Sequence, residues 1–173
     1  MLPLGRAVKV DVAGCGGTGS QVLTGLARIH NAAKRCGHEH GLYVRAYDPD
    51  DVSYSNVGRQ LFHHGDVGLG KAECLIRRLN VFYQMHWNWS RRKWRGNADA
   101  DLVIVCIDTG KGREAIQQSA NPKRQYVLDC GNEQDFGQVI LGGMEYPCPY
   151  EEHPALKTSA QDAGPSCSLA ESL

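Results

Sequence analysis

The sequence predicts an α/β fold built on a mostly parallel sheet with helices on both faces. Three observations carry that expectation. The segment "AVKVDVAG" runs directly into a glycine-rich turn, and "GSQVLTGLARIHNAAKRCG" follows with Val22, Leu26, Ile29 and Ala33 at helical spacing. A second β-type run, "LYVRAYD", comes next, so the order is strand, turn, helix, strand. Such a unit crosses over a sheet and leaves its two strands parallel. Helical and β-type segments then keep alternating down most of the chain.

Taken in order, the first strand ends at the turn and the first helix stops at Gly37. After the second strand, "PDDVSYSNVGRQLFHHGDVGLG" is long for a connection and rich in Gly, Asp, Ser and Asn. Ordered loops of that length are usually functional. Helical periodicity resumes in "KAECLIRRLNVF" through Ala72, Leu75, Ile76 and Leu79. The stretch "YQMHWNWSRRKW" alternates like a strand but ends in basic residues. "ADLVIVCID" reads as a buried strand and "GKGREAIQQSANP" as a helix stopped by Pro122. "QYVLDCG" and "FGQVILGGM" read as two more strands, the last of them antiparallel at an edge. After Met144 the composition turns Pro-rich and polar, so residues 145–167 read as an irregular loop, and "SLAESL" as the start of a helix. The division is therefore a core over residues 1–144 and a crossover segment over 145–173.

Bulk composition excludes several classes. The chain has 173 residues, 19 Lys plus Arg against 19 Asp plus Glu, and 42% hydrophobic residues. That content supports a packed core, and the balanced charge argues against a general nucleic-acid binder. No apolar run reaches the roughly 20 residues of a membrane helix. Seven cysteines, several inside apolar segments, suit a reducing cytoplasm. None of them form a C-x-x-C pair, so no zinc is expected.

The chemistry concentrates in a few places. "GCGGTG" puts Gly14, Gly16, Gly17 and Gly19 between a strand and a helix. That placement aims backbone N–H groups and a helix N-terminus at a phosphate. A tight turn alone needs fewer glycines. By itself the pattern does not choose between NAD and ATP. Asp48, ending the second strand, is placed to hold a ribose hydroxyl, with Asp50 and Asp51 as close competitors. The segment "SNVGRQLFHHGDVGLGKAE" brings Asn56, Arg59, Gln60 and Lys71. A dehydrogenase has no general need for that set, whereas a triphosphate site needs an Arg and a Lys on phosphate oxygens and polar groups to orient them. Asp108 follows "DLVIVCI", at the strand end where open parallel sheets bind ligands, and one such carboxylate can hold Mg2+ beside phosphates.

Together "GCGGTG", "DPDDVSYSNVGRQ", "GLGKAECLIRRLN", "CIDTGKGR" and "SCSLAES" resemble the ThiF/MoeB superfamily, which includes the ubiquitin-activating enzymes. The ending "PSCSLAESL" resembles in particular the ThiF-related member of a bacterial cassette that also encodes a ParB-related protein. The resemblance implies a Rossmann-like adenylation fold that uses ATP and Mg2+. The substrate it implies is the C-terminal glycine of a ubiquitin-like or sulfur-carrier β-grasp protein. It implies that the four glycines border the nucleotide, that Asp48 takes the ribose, and that Asn56, Arg59, Gln60 and Lys71 surround the phosphates. Asp108 then matches the aspartate near the metal, Arg113 the arginine on the next helix, and Cys167 a cysteine that in some relatives forms a thioester or persulfide. It also implies a homodimer, and further strands and helices beyond Leu173 to complete the fold.

Other features carry less. His38 and His40 lie past a helix end and read as a polar loop, and His63 and His64 take no assigned role. Trp87, Trp89 and Trp94 interleave with Arg91, Arg92, Lys93 and Arg95, a pattern that can bind single strands. An edge strand with a solvated turn explains it better. An NAD-dependent oxidoreductase rests on the glycine pattern alone, and a non-catalytic binding module is the third reading.

Overall fold

The computed structural model describes residues 5–132 and 137–157. Strands β1 (Val8–Ala13), β2 (Leu42–Tyr47), β3 (Asn88–Ser90), β4 (Leu102–Val105), β5 (Tyr126–Asn132) and β6 (Gly137–Gly143) form one sheet in the order β3-β2-β1-β4-β5-β6. Every pairing is parallel except β5 with β6. The α/β fold class and the antiparallel edge strand are as the sequence predicts.

The two faces are covered by different helices. Helices α1 (Gly17–Arg35) and α2 (Lys71–Tyr83) bury Leu23, Leu26, Ala72, Leu75 and Ile76 against Val8, Val10, Val12 and Val44. On the other face, α3 (Gly110–Ser119) buries Ile116 against Val103, Val105 and Val127. Period-two alternation sends Ile104 to the first cluster and its neighbours Val103 and Val105 to the second.

Two segments differ from their sequence reading. Strand β4 stops at Val105, so Cys106 to Thr109 form an extended loop rather than the end of a strand. Residues expected to be irregular contain a helical turn, α4 (Pro149–Glu152), and a 3-10 turn, Pro154–Lys157. Pro149 occupies the first helical position, where its missing N–H costs nothing. Tyr150 is fully buried and donates to Asp129 Oδ2 at 2.6 Å, and Leu156 joins the same cluster. Both turns are shorter than the window in which periodicity is readable.

The long loop before α2 is held by Asp66, a residue the sequence reading passed over. Its carboxylate accepts from the His63 N–H at 2.9 Å and from the Arg78 guanidinium at 2.5 Å, while Arg78 also donates to the Leu61 carbonyl at 2.7 Å. Burial pushes this carboxyl up, but the His63 N–H and Arg78 outweigh it and hold it below the usual range. Asp66→Ala should lower the urea midpoint, at unchanged slope, by the equivalent of about 2 kcal/mol. An unchanged midpoint would show that the loop is held by something else.

Candidate functional site

A cavity of about 820 Å³ opens at the C-terminal ends of β1, β2 and β4. The sheet order reverses between β1 and β4, which makes this the topological switch point where open α/β sheets bind ligands. The glycine turn forms its floor. Gly14 has φ +95°, a conformation side chains rarely adopt, and a Cβ there would lie 2.5 Å from the Cys106 carbonyl oxygen. Gly16 is the N-cap of α1 and has no side chain to occupy the first-turn N–H groups, and no acidic residue stands in that turn. The result is a helix N-terminus suited to an anion.

Asp48 is buried at the cavity wall. Its Oδ2 accepts from the Cys15 N–H at 2.6 Å and its Oδ1 from the Asp50 N–H at 2.8 Å. Burial raises its pKa, against the pull of those two N–H groups. Lys71, the first residue of α2, is buried as well, with Nζ 3.6 Å from Asp50 Oδ2. Arg59 lines the cavity and donates from Nε to the Ser55 carbonyl at 2.8 Å. Gln60 lines it too, with Nε2 facing Gly16 and a buried Oε1 that has no hydrogen-bond partner among the described residues.

Of the residues singled out from the sequence, Gly14, Gly16, Gly17, Asp48, Arg59, Gln60, Lys71 and Asp108 thus border one cavity. Gly19 and Asn56 lie behind its lining. Gly19 packs against Gly14, and Asn56 Oδ1 accepts from the Ser53 N–H at 3.0 Å, shaping the 3-10 turn Tyr54–Asn56. Arg113 is buried away from it, with Nε 3.1 Å from Asp129 Oδ2 and Nη1 donating to the Leu156 carbonyl. Cys167 lies outside the described residues. Burial is the main or a leading cause that pushes Cys15, Cys74 and Cys148 up, Cys74 to about 12, so these stay thiols and are poor nucleophiles.

The structure adds residues that the sequence did not single out for this site. Thr18 and Gln21 come from the first turns of α1, and Tyr47, Lys93, Trp94 and Ile107 from strand ends and the loop after β3. The stretch is an edge strand followed by a turn whose Arg91, Arg92, Lys93 and Arg95 are exposed, as expected, but Trp87 and Trp94 are buried, and Trp94 and Lys93 line the cavity. The alternating apolar ring positions in "HWNWSRRKW" were the available signal. A second depression, lined by Arg6, Lys9, Asp99, Asp101, Lys123 and Arg124, lies at the other ends of the strands. Its charges are largely paired, as in Arg6 with Asp101 at 2.5 Å.

An open, mostly parallel sheet with a glycine-floored cavity at its switch point defines a Rossmann-like α/β protein. The chain belongs to the ThiF family, whose pattern matches residues 4–171. It is 25% identical over 169 residues to ubiquitin-like modifier-activating enzyme 5 of Arabidopsis thaliana, covering 84% of this chain and 36% of that protein. Against the same enzyme of Xenopus laevis the identity is 28% over 146 residues, with 73% of this chain and 34% of the relative covered. The chain therefore spans about a third of the length of these relatives. Among solved structures it is similar to E. coli tRNA N6-threonylcarbamoyladenosine dehydratase, TcdA, at TM-score 0.57 and 24% identity, over 72% of this chain and 52% of that one. It is also similar to PaaA at TM-score 0.57 and 23% identity, over 76% and 39%. These two likenesses show a shared fold. No described helix is long and apolar enough to cross a membrane.

Proposed function

We propose that the chain is the ATP-binding adenylation core of a ubiquitin-like modifier-activating enzyme, with residues 1–144 forming the core and 145–173 the segment that carries Cys167. One observation carries this reading. Residues from four separate chain segments, Gly14 to Gly17, Asp48, Arg59 to Lys71 and Asp108, meet at one switch-point cavity. A phosphate cradle, a ribose carboxylate, two cations and a second carboxylate are the parts that binding and activating a nucleoside triphosphate requires.

In this reading the first turn of α1 and the side chains of Arg59 and Lys71 bind the phosphates, with Gln60 beside them. Asp48 accepts from the ribose. The C-terminal glycine carboxylate of a β-grasp carrier attacks the α-phosphorus, the bond to the β-phosphate oxygen breaks, and pyrophosphate leaves an acyl adenylate. Negative charge builds on the phosphate oxygens, so the protein contributes mainly position and fixed positive charge. The exposed Asp108 carboxylate at the cavity rim fits Mg2+, which would take most of its remaining oxygens from phosphate and water and neutralise the leaving pyrophosphate. The carrier's ubiquitin-like character is supported by the names of the relatives. Cys167 is the proposed acceptor of a thioester or persulfide, in a cytoplasmic homodimer.

The test is ATP–pyrophosphate exchange with a verified carrier that ends in Gly-Gly. Exchange should depend on the carrier, and Arg59→Ala or Asp108→Ala should lower it by roughly 10² to 10³. No exchange with a carrier shown to bind, or tighter binding of NAD than of ATP, would sink the reading.

A further inference from the structure

A carboxylate stands where a parallel sheet has no use for one. Asp11 occupies the middle of β1, between Arg45 of β2 and Val103 of β4, and is 1% exposed. Central parallel strands are apolar on both faces, and a buried carboxylate is costly unless its lone pairs are filled. Here they are filled, and one of the donors, Trp94, lines the cavity. Oδ2 accepts from Trp94 Nε1 at 2.8 Å and from Asn97 Nδ2 at 2.9 Å. Arg45 Nε lies 3.4 Å from Oδ1.

Trp94 and Tyr47 both line the cavity and belong with Ala13, Ile107 and Ile116 to the apolar cluster on the α3 face, whereas Leu61, next to Gln60, belongs to the cluster on the opposite face. The cavity is thus divided. One side offers N–H groups, cations and amides, and the other offers the tethered Trp94 ring, the Tyr47 ring and aliphatic carbon. A flat heteroaromatic ring fits the second side, because it buries against apolar surface and aromatic faces while its phosphates reach the first. The apolar cluster around Trp94 buries the ring, and the hydrogen bond from its indole N–H to Asp11 sets its orientation within that cluster.

We propose that Asp11 is a positioning residue for the nucleobase: it fixes Trp94 in the wall against which the base packs, without touching the nucleotide itself. The proposal rests on the nucleotide reading of the cavity. It separates base recognition from phosphate recognition, and so it makes a prediction that a merely structural carboxylate does not.

Isothermal titration of the full chain with ATP and with inorganic tripolyphosphate tests it. Asp11→Leu should weaken ATP binding roughly tenfold while tripolyphosphate affinity moves by less than about twofold. Asp11→Asn keeps an acceptor for the indole N–H and should recover most of the ATP affinity. If Asp11→Leu does not fold, Trp94→Phe serves: it keeps a ring in the core, removes the N–H tether, and should show the same split in smaller measure. Equal losses for both ligands, or parental ATP affinity in Asp11→Leu or in Trp94→Phe, would overturn the proposal. Parental chain that binds neither ligand would sink the nucleotide reading and this proposal with it. Parental chain that binds both, with variants indistinguishable from it, would sink the proposal alone.

Discussion

Lys71→Ala should weaken ATP binding by about 10- to 100-fold, the equivalent of a lost charge-assisted hydrogen bond of roughly 1.5–3 kcal/mol. Lys71 is the cation best placed for this. It is buried, it starts α2, and its salt-bridge partner among the described residues, Asp50, is a mostly exposed carboxylate 3.6 Å away. A partnership with an exposed group contributes little to stability, so the variant's unfolding midpoint should move by less than the equivalent of about 1 kcal/mol. Lys71 is buried at the start of α2 and lines the cavity, so the fold holds it at the site before the ligand arrives. AMP, which lacks the outer phosphates, should lose less affinity than ATP. Lys71→Arg should not restore the parental value, because a wide planar fork does not replace a point charge in a closed space. Affinity for ATP within twofold of parental, or loss only through unfolding, would rule out this role for Lys71.

The parts legible in the sequence were those written in local pattern. The first βαβ unit follows from the apolar spacing around "GCGGTG", and the buried strand from "DLVIVC". The antiparallel β6 was readable because the α/β alternation fails after β5. Residues of the cavity were legible where they sit in segments with unusual composition, as Arg59 and Lys71 do. Others required the fold. Asp66 is one acid among several in a polar loop, and only Arg78, on the next helix, shows what it holds. Asp11 looks like an interruption of a strand until residues more than 80 positions later are seen to converge on it. Trp94 was misread for the same reason, since its burial depends on a partner across the sheet. Asn56 shows the reverse case. The sequence sets it among the phosphate-binding residues, and its side chain is engaged in the 3-10 turn.

The clustering also explains why the site sits on irregular segments while its precision comes from the sheet. Each contributing loop leaves a strand end or enters a helix: Gly14 after β1, Asp48 after β2, Asp108 after β4, Lys71 at the start of α2. The parallel register fixes those exits side by side, with Ala13 opposite Tyr47 and Val105. Loop residues inherit that spacing, and only the long segment from Asp51 to Gly70 needs its own fastening, which Asp66 and an isolated bridge between Asp51 and Gly70 supply.

Gly19→Ala and Gly17→Ala should separate the two jobs of the glycine turn. A Cβ on Gly19 would lie 2.0 Å from the Gly14 carbonyl oxygen and 2.8 Å from its carbon, with Cys106 Cβ at 3.5 Å on another side. Both close neighbours are backbone, and Gly14 cannot retreat, because it is itself held at φ +95° against the Cys106 carbonyl. The helix must move off the strand, so Gly19→Ala should cost more than about 3 kcal/mol and remove ATP binding with it. Gly17 has nothing within 4 Å of its Cβ position and lies in the first turn of α1. Alanine there should leave stability unchanged or raise it by up to about 1 kcal/mol, through lower unfolded-state entropy and better helix propensity. Gly17 also lines the cavity, so the added methyl group should weaken ATP binding in a protein that folds at least as well as the parent. Thermal unfolding and ATP titration of the two variants decide the matter: equal stabilities would refute the packing role of Gly19, and parental ATP affinity in Gly17→Ala would refute close approach of the ligand to the turn.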